Sequence, residues 1–146
     1  MSLTTEEIQE ILALLEATPV RIADSTAGLD EARLRQRLDP KEWSALQILS
    51  HLRACDAVWS DSIYAMLTLN EPTLAHIHPR DWDRKLRYND GAFAPSLAAL
   101  TAQRADLLRV LRRLPPNGWE RGATINGRRH TVFTQARRLA LHETQH

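Results

Sequence analysis

Residues 43–69 carry a long helical signal whose apolar side is wide. Ala45, Leu46, Ile48, Leu49, Leu52, Val58, Trp59, Ile63, Met66 and Leu67 recur at helical spacing. A stripe this broad cannot be covered from one side, so the segment is expected at the centre of the core with other helices around it. A single polar ring, His51, sits within the stripe.

The rest of the chain supplies the partners. A first helix is predicted from a cap at Thr4 or Thr5, with Glu6 and Glu7 in its first turn, where the helix dipole favours anions. Ile8, Ile11, Leu12, Leu14 and Leu15 give it a helical period, Thr18-Pro19 is expected to kink or interrupt it, and Gly28 to stop it. Residues 30–38 read as a short helical piece. Asp39-Pro40 looks like the start of the central helix, with Ser44 as a second candidate cap. Residues 70–94, with Pro72, Pro79, Asn89 and Gly91, read as a long connection with a helical turn; connections of this length are commonly functional or mobile. A third long helix is predicted over residues 95–114. Residues 119–130, with Asn126-Gly127, read as a turn or small hairpin-like link. The last helix begins at Thr131, with Val132, Phe133, Ala136, Leu139 and Ala140 facing inward. Four long helices without a convincing strand predict an all-α four-helix bundle, as one domain over residues 1–146.

Composition narrows the class of function. A net charge of +1 argues against a dedicated nucleic-acid binder. Arg104, Arg109, Arg112 and Arg113 are locally basic and read as the solvated side of the third helix. No run of 18 or more apolar residues exists, so no membrane span is expected. One cysteine, Cys55, excludes an internal disulfide and fits a reducing compartment. The N-terminal sequence is acidic and polar, unlike a signal peptide, so the cytoplasm is the expected location.

The final residues carry the chemistry. His142 and His146 are four apart on a predicted helix, so their rings lie one above the other, at the spacing where two imidazoles share a transition metal. Two ligands hold a metal weakly, and catalytic sites normally use three protein ligands and an open position. His51, on the most apolar helix, is the natural third. Three imidazoles with open coordination suit Zn²⁺, Ni²⁺ or Fe²⁺. Glu143 falls near the centre of the inner face. A buried carboxylate needs a partner, and a metal-bound water or a ligand histidine is the expected one, which makes Glu143 the candidate acid or base. Cys55, one turn after His51, reads first as a small buried hydrophobe. His76 and His78 read as loop residues, and His130 as lying near the start of the last helix, far from His142 along its axis.

Trp43-Ser44, the run Ile48-Leu49-Ser50-His51-Leu52, and Gly127-Arg128-Arg129-His130-Thr131-Val132 leading to Leu139-Ala140-Leu141-His142-Glu143-Thr144-Gln145-His146 resemble the DinB/YfiT-like superfamily. The resemblance covers nearly the whole chain in helix order and link lengths. It implies a four-helix bundle holding a divalent cation, usually zinc or nickel, on His51, His142 and His146. It also implies a homodimer, and activity on small molecules as a thiol-dependent S-transferase, an isomerase or a metal-dependent hydrolase. In such proteins the last helix usually runs on beyond its final histidine; here His146 is the last residue.

The expected function is therefore a metal-dependent enzyme acting on a small-molecule substrate, a low-molecular-weight thiol among the candidates. Two readings compete with it. His-Glu-x-x-His alone suggests a zinc peptidase, but such enzymes commonly take their third ligand downstream of the motif. A non-catalytic bundle for binding or assembly, with or without a structural metal, is the main alternative.

Overall fold

Thr4 opens the first helix, α1 (Thr5–Thr26), with a reciprocal cap: its hydroxyl accepts from the Glu7 amide while the Glu7 carboxylate accepts from the Thr4 amide. The structure, a computed structural model, describes residues 3–145. α1 runs unbroken through Pro19, where the sequence predicts an interruption. Proline has no N–H, so the Leu15 carbonyl one turn earlier loses its helical donor. Arg104 replaces it, donating from Nη1 to that oxygen at 2.6 Å. A side chain from another helix thus repairs the helix where proline weakens it.

A short helix, α2 (Glu31–Leu34), follows, capped by Asp30, whose carboxylate accepts from the Arg33 amide. The central helix is α3 (Ala45–Thr68). Its cap is Ser44, paired reciprocally with Gln47. The expected start at Asp39-Pro40 is instead a turn, in which the Asp39 carboxylate accepts from the Lys41 amide. The long connection after α3 holds β1 (Thr73–Leu74), a 3-10 turn over Pro79–Asp81, α4 (Trp82–Leu86) and a second 3-10 turn over Tyr88–Asp90. α5 (Phe93–Arg112) begins two residues earlier than predicted, because Pro95 fits in a first turn where no intrahelical N–H is required.

The predicted hairpin is present as β2 (Gly122–Ile125) and β3 (Arg128–Thr131). Asn126 and Gly127 turn with φ of 53° and 78°, the left-handed pair that matches the twist of a two-residue hairpin. β1 adds to β2 in parallel, pairing Thr73 with Thr124 and Leu74 with Ile125. The addition of β1 is not expected from sequence, since a two-residue strand is too short to show an alternating pattern. α6 (Val132–Thr144) follows β3 directly, capped by Thr131. No helix among the described residues is long and apolar enough to cross a membrane.

The four long helices form a ring in the order α1, α5, α3, α6, each packed on its two neighbours. Leu15, Ile63, Met66, Leu107, Leu111, Ala136 and Leu139 fill the space between them. A smaller cluster of Leu34, Leu46, Leu49, Phe93 and Leu100 closes the α2 end.

One charged network crosses this apolar interior. Arg104 of α5 is 1% exposed, so the expectation that it lies on a solvated face does not hold; Arg109, Arg112 and Arg113 are exposed as expected. Its Nε and Nη2 donate to Asp56 Oδ1 of α3 at 3.1 and 2.8 Å. Nη1 donates to Glu143 Oε1 of α6 at 2.9 Å, and Nη2 pairs with Glu143 Oε2. Thr18 of α1 donates its hydroxyl to Glu143 Oε1 at 2.8 Å. With the bond to Leu15, the guanidinium makes five contacts, matching its five N–H groups. Removing one member of such a network leaves charges buried without compensation. Replacing Arg104 by Ala is expected to lower stability by about 3–5 kcal/mol in urea unfolding; a loss below about 1 kcal/mol, the scale of an exposed pair, would contradict the role given to this residue.

Candidate metal centre

His51 and Cys55 are one turn apart on α3 and share a face, with Cys55 Sγ 3.6 Å from His51 Nε2. α6 brings His142 against them, its ring centroid 5.3 Å from that of His51. One donor atom from each of His51, Cys55 and His142 lies within 4.8 Å of the other two. Ligands of a tetrahedral ion at about 2.0–2.3 Å stand roughly 3.3–3.8 Å apart. The Cys55–His51 separation falls in that range, and a small contraction brings the third donor into it. The chemistry also fits, since imidazole and thiolate are donors for zinc and its borderline-soft neighbours.

Trp43 meets the His51 ring edge-on at 5.2 Å, and Trp59 lies tilted against His142 at 5.3 Å. Indoles on two sides limit the ways in which the imidazoles can turn. His51 and Cys55 are buried, and His142 is half-buried. Burial, then the charges of Glu143 and Asp56, pushes the Cys55 thiol up to about 12, so without a neighbouring cation it keeps its proton.

Of the residues expected to form the site, the structure brings His51 and His142 together; His146 lies outside the described residues. Cys55, expected first as a small buried hydrophobe, stands among the donors. Glu143 is buried as expected, but its partners are Arg104 and Thr18, which engage both carboxylate oxygens. The network lies directly behind the donors: Asp56 follows Cys55, and Glu143 follows His142.

A cleft of about 420 Å³ opens beside the donors, lined by Cys55 and by Trp59, the indole that packs on His142. From sequence, His76 and His78 are expected as loop residues and His130 far from His142. His76 and His78 follow β1, and His130 lies on β3; the sheet carries all three to the cleft wall. Gln135 and Arg138 line it from α6, seven and four positions before His142 and so on the face that carries it. Burial first, then arginine charge, holds His78 and His130 below the ordinary imidazole range.

A sequence profile of the DinB superfamily matches residues 14–146. The chain belongs to the DinB superfamily. A solved structure described as YfiT from Bacillus subtilis, "a probable metal-dependent hydrolase with an unusual four-helix bundle topology", superposes on it with a TM-score of 0.86. The two are 17% identical in sequence, and the match covers 98% of this chain and 83% of that one. At that identity the similarity establishes a shared fold. No curated protein matches the chain in sequence. In this DinB-superfamily bundle, donor atoms of His51, Cys55 and His142 meet between the central and last helices.

The buried network makes a pH-dependent prediction. Asp56 is fully buried, and its Oδ2 has no hydrogen-bond partner among the described residues. Burial raises its carboxyl pKa from 3.8, against the lowering effect of Arg104. A raised folded pKa means that the native state binds more protons than the unfolded chain. The resulting stability is fully present below 3.8 and is lost as pH rises through the folded value. Asp56→Asn keeps the Oδ1 acceptor and cannot titrate. Denaturant titrations from acid to neutral pH should show a flatter profile for this variant, with stability at neutral pH within about 1 kcal/mol of the parent. A loss above about 3 kcal/mol at neutral pH would show that Arg104 requires the full charge of Asp56.

Proposed function

We propose that this DinB-superfamily chain is a metal-dependent enzyme acting on a small molecule, of hydrolase or thiol S-transferase type. The observation that carries this reading is the meeting of His51, Cys55 and His142 donor atoms beside an open cleft that Cys55 lines. His51 and His142 are assigned as ligands of a divalent ion, zinc or nickel, with His146 as the third, from its four-residue spacing to His142. The printed description of YfiT as a probable metal-dependent hydrolase supports the same reading. When bound, such an ion supplies Lewis acidity, lowering the pKa of a water or thiol presented to it.

The chain's own residues supply the rest. Trp43 and Trp59 hold the imidazoles and exclude water from their outer faces. Cys55 stands where the donors meet the cleft and limits what can approach. Glu143 enters as a positioning residue in place of the acid or base expected from sequence. Proton exchange with substrate requires a free carboxylate oxygen, and Arg104 and Thr18 hold both. By fixing Glu143, Arg104 sets the rotation of α6 about its axis and so the direction of His142. A homodimer in the cytoplasm completes the reading, on the superfamily resemblance and the single reduced cysteine.

The test is metal stoichiometry. Elemental analysis of protein prepared without chelators should find about one zinc or nickel per chain. His51→Ala and His142→Ala should each lose most of it, while Cys55→Ala should keep it, because three imidazoles suffice. A metal-free parent protein, or full occupancy in His51→Ala, would contradict the assignment. Hydrolysis of small esters or amides, against consumption of small thiols with an electrophile, separates the two reaction types; both should fall at least about a hundredfold in His142→Ala.

A further inference from the structure

The cleft beside the donors has a charge character that the metal reading does not use. Arg128 reaches it from β3, Arg138 from α6, His76 and His78 from the loop after β1, and His130 from β3. No Asp or Glu is among its described lining residues. Arg129, next to Arg128, pairs with Glu71 outside the cleft, and Arg112 pairs with Glu16. Neither Arg128 nor Arg138 makes an ion pair or a side-chain hydrogen bond among the described residues. Two guanidiniums from different elements therefore converge on one concavity without an anion of the protein's own.

A second observation is independent of charge. Gln135 lines the same cleft, is 3% exposed, and its Oε1 has no hydrogen-bond partner among the described residues. A buried amide oxygen without a partner costs about 1–3 kcal/mol, so a group donating to it from the cleft is favoured. Gln135, Arg138 and His142 succeed one another along one face of α6 at spacings of three and four. An occupant spanning that face meets a hydrogen-bond acceptor, a cation and a metal ligand in one line.

We propose that this cleft binds the anionic group, carboxylate or phosphate, of a small-molecule substrate, with Arg128 and Arg138 holding the anion and Gln135 accepting a hydrogen bond from a donor on the same molecule. Guanidinium groups match carboxylate and phosphate oxygens in pairs, which fixes orientation as well as affinity. The anion's place at the rim leaves the remainder of the molecule directed toward Cys55, His51 and His142. Burial first, and then the charges of nearby arginines, lowers the proton affinity of His78 and His130. Calling the occupant a substrate rests on the enzyme reading; the anion site itself needs no metal.

Calorimetric titration with succinate, inorganic phosphate and the neutral analogue succinamide tests the site. Succinate, phosphate or both should bind saturably at one site, and succinamide should not compete. Which anion binds better separates a carboxylate from a phosphate site. Arg128→Ala and Arg138→Ala should each weaken binding by roughly tenfold, the scale of a lost charge-assisted hydrogen bond. Arg137→Ala removes the same charge from an exposed neighbour outside the cleft and should leave binding unchanged. All three arginines are exposed, so the variants are expected to fold. Absence of saturable binding by either anion up to roughly 10 mM, or equal weakening by Arg137→Ala, would overturn the proposal. Metal stoichiometry measured on the same variants separates the two ideas. Retained metal without anion binding sinks the cleft assignment alone, and anion binding by a protein that takes up no metal sinks the enzyme reading alone.

Discussion

Taking a guanidinium out of water costs several kcal/mol, and the cost is offset only where every N–H finds a well-placed acceptor. Arg104 meets that condition with groups from three other helices: the Leu15 carbonyl of α1, Asp56 of α3 and Glu143 of α6. The acceptor from α1 exists because Pro19 brings no N–H to the Leu15 carbonyl. A residue that ordinarily breaks helices here creates the vacancy that an arginine fills. Apolar packing alone would tolerate small rotations of the helices about their axes, whereas directional contacts to one rigid planar group do not.

That constraint reaches the donors through the chain itself. Asp56 is covalently next to Cys55, and Glu143 is next to His142. Once Asp56 and Glu143 both turn toward Arg104, the preceding residues are rotated about 100° round their helices and meet on one side of the network. His51 joins them one turn away on α3. The short sheet adds the other wall: β1 pairs with β2 and delivers His76 and His78 to the cleft that Cys55 lines. Donors and cleft thus depend on different parts of the fold, the first on the buried charges and the second on the sheet.

The helical class, the capping of α1 and α6, the Asn126-Gly127 turn and the meeting of His51 with His142 were legible because each rests on local spacing. Periods of 3.6 residues and turn chemistry are written into neighbouring residues. Arg104 was harder, since it stands near three arginines that are solvated. A signal was available: Leu100, Arg104, Leu107, Leu108 and Leu111 fall on one helical face, which places the arginine inside an apolar stripe. The partner of Glu143 was not legible, because it comes from α5 and no spacing within α6 points there. The same limit hid the cleft histidines, which a two-residue parallel pairing brings into place.

The most direct measurement is a crystal structure of protein grown with zinc, with anomalous data collected on both sides of the zinc absorption edge. The account predicts one strong edge-dependent peak per chain, within bonding distance of nitrogen atoms on His51 and His142, with Glu143 still turned away toward Arg104. A peak elsewhere in the bundle, or rings of His51 and His142 enclosing no metal density at full zinc saturation, would contradict it.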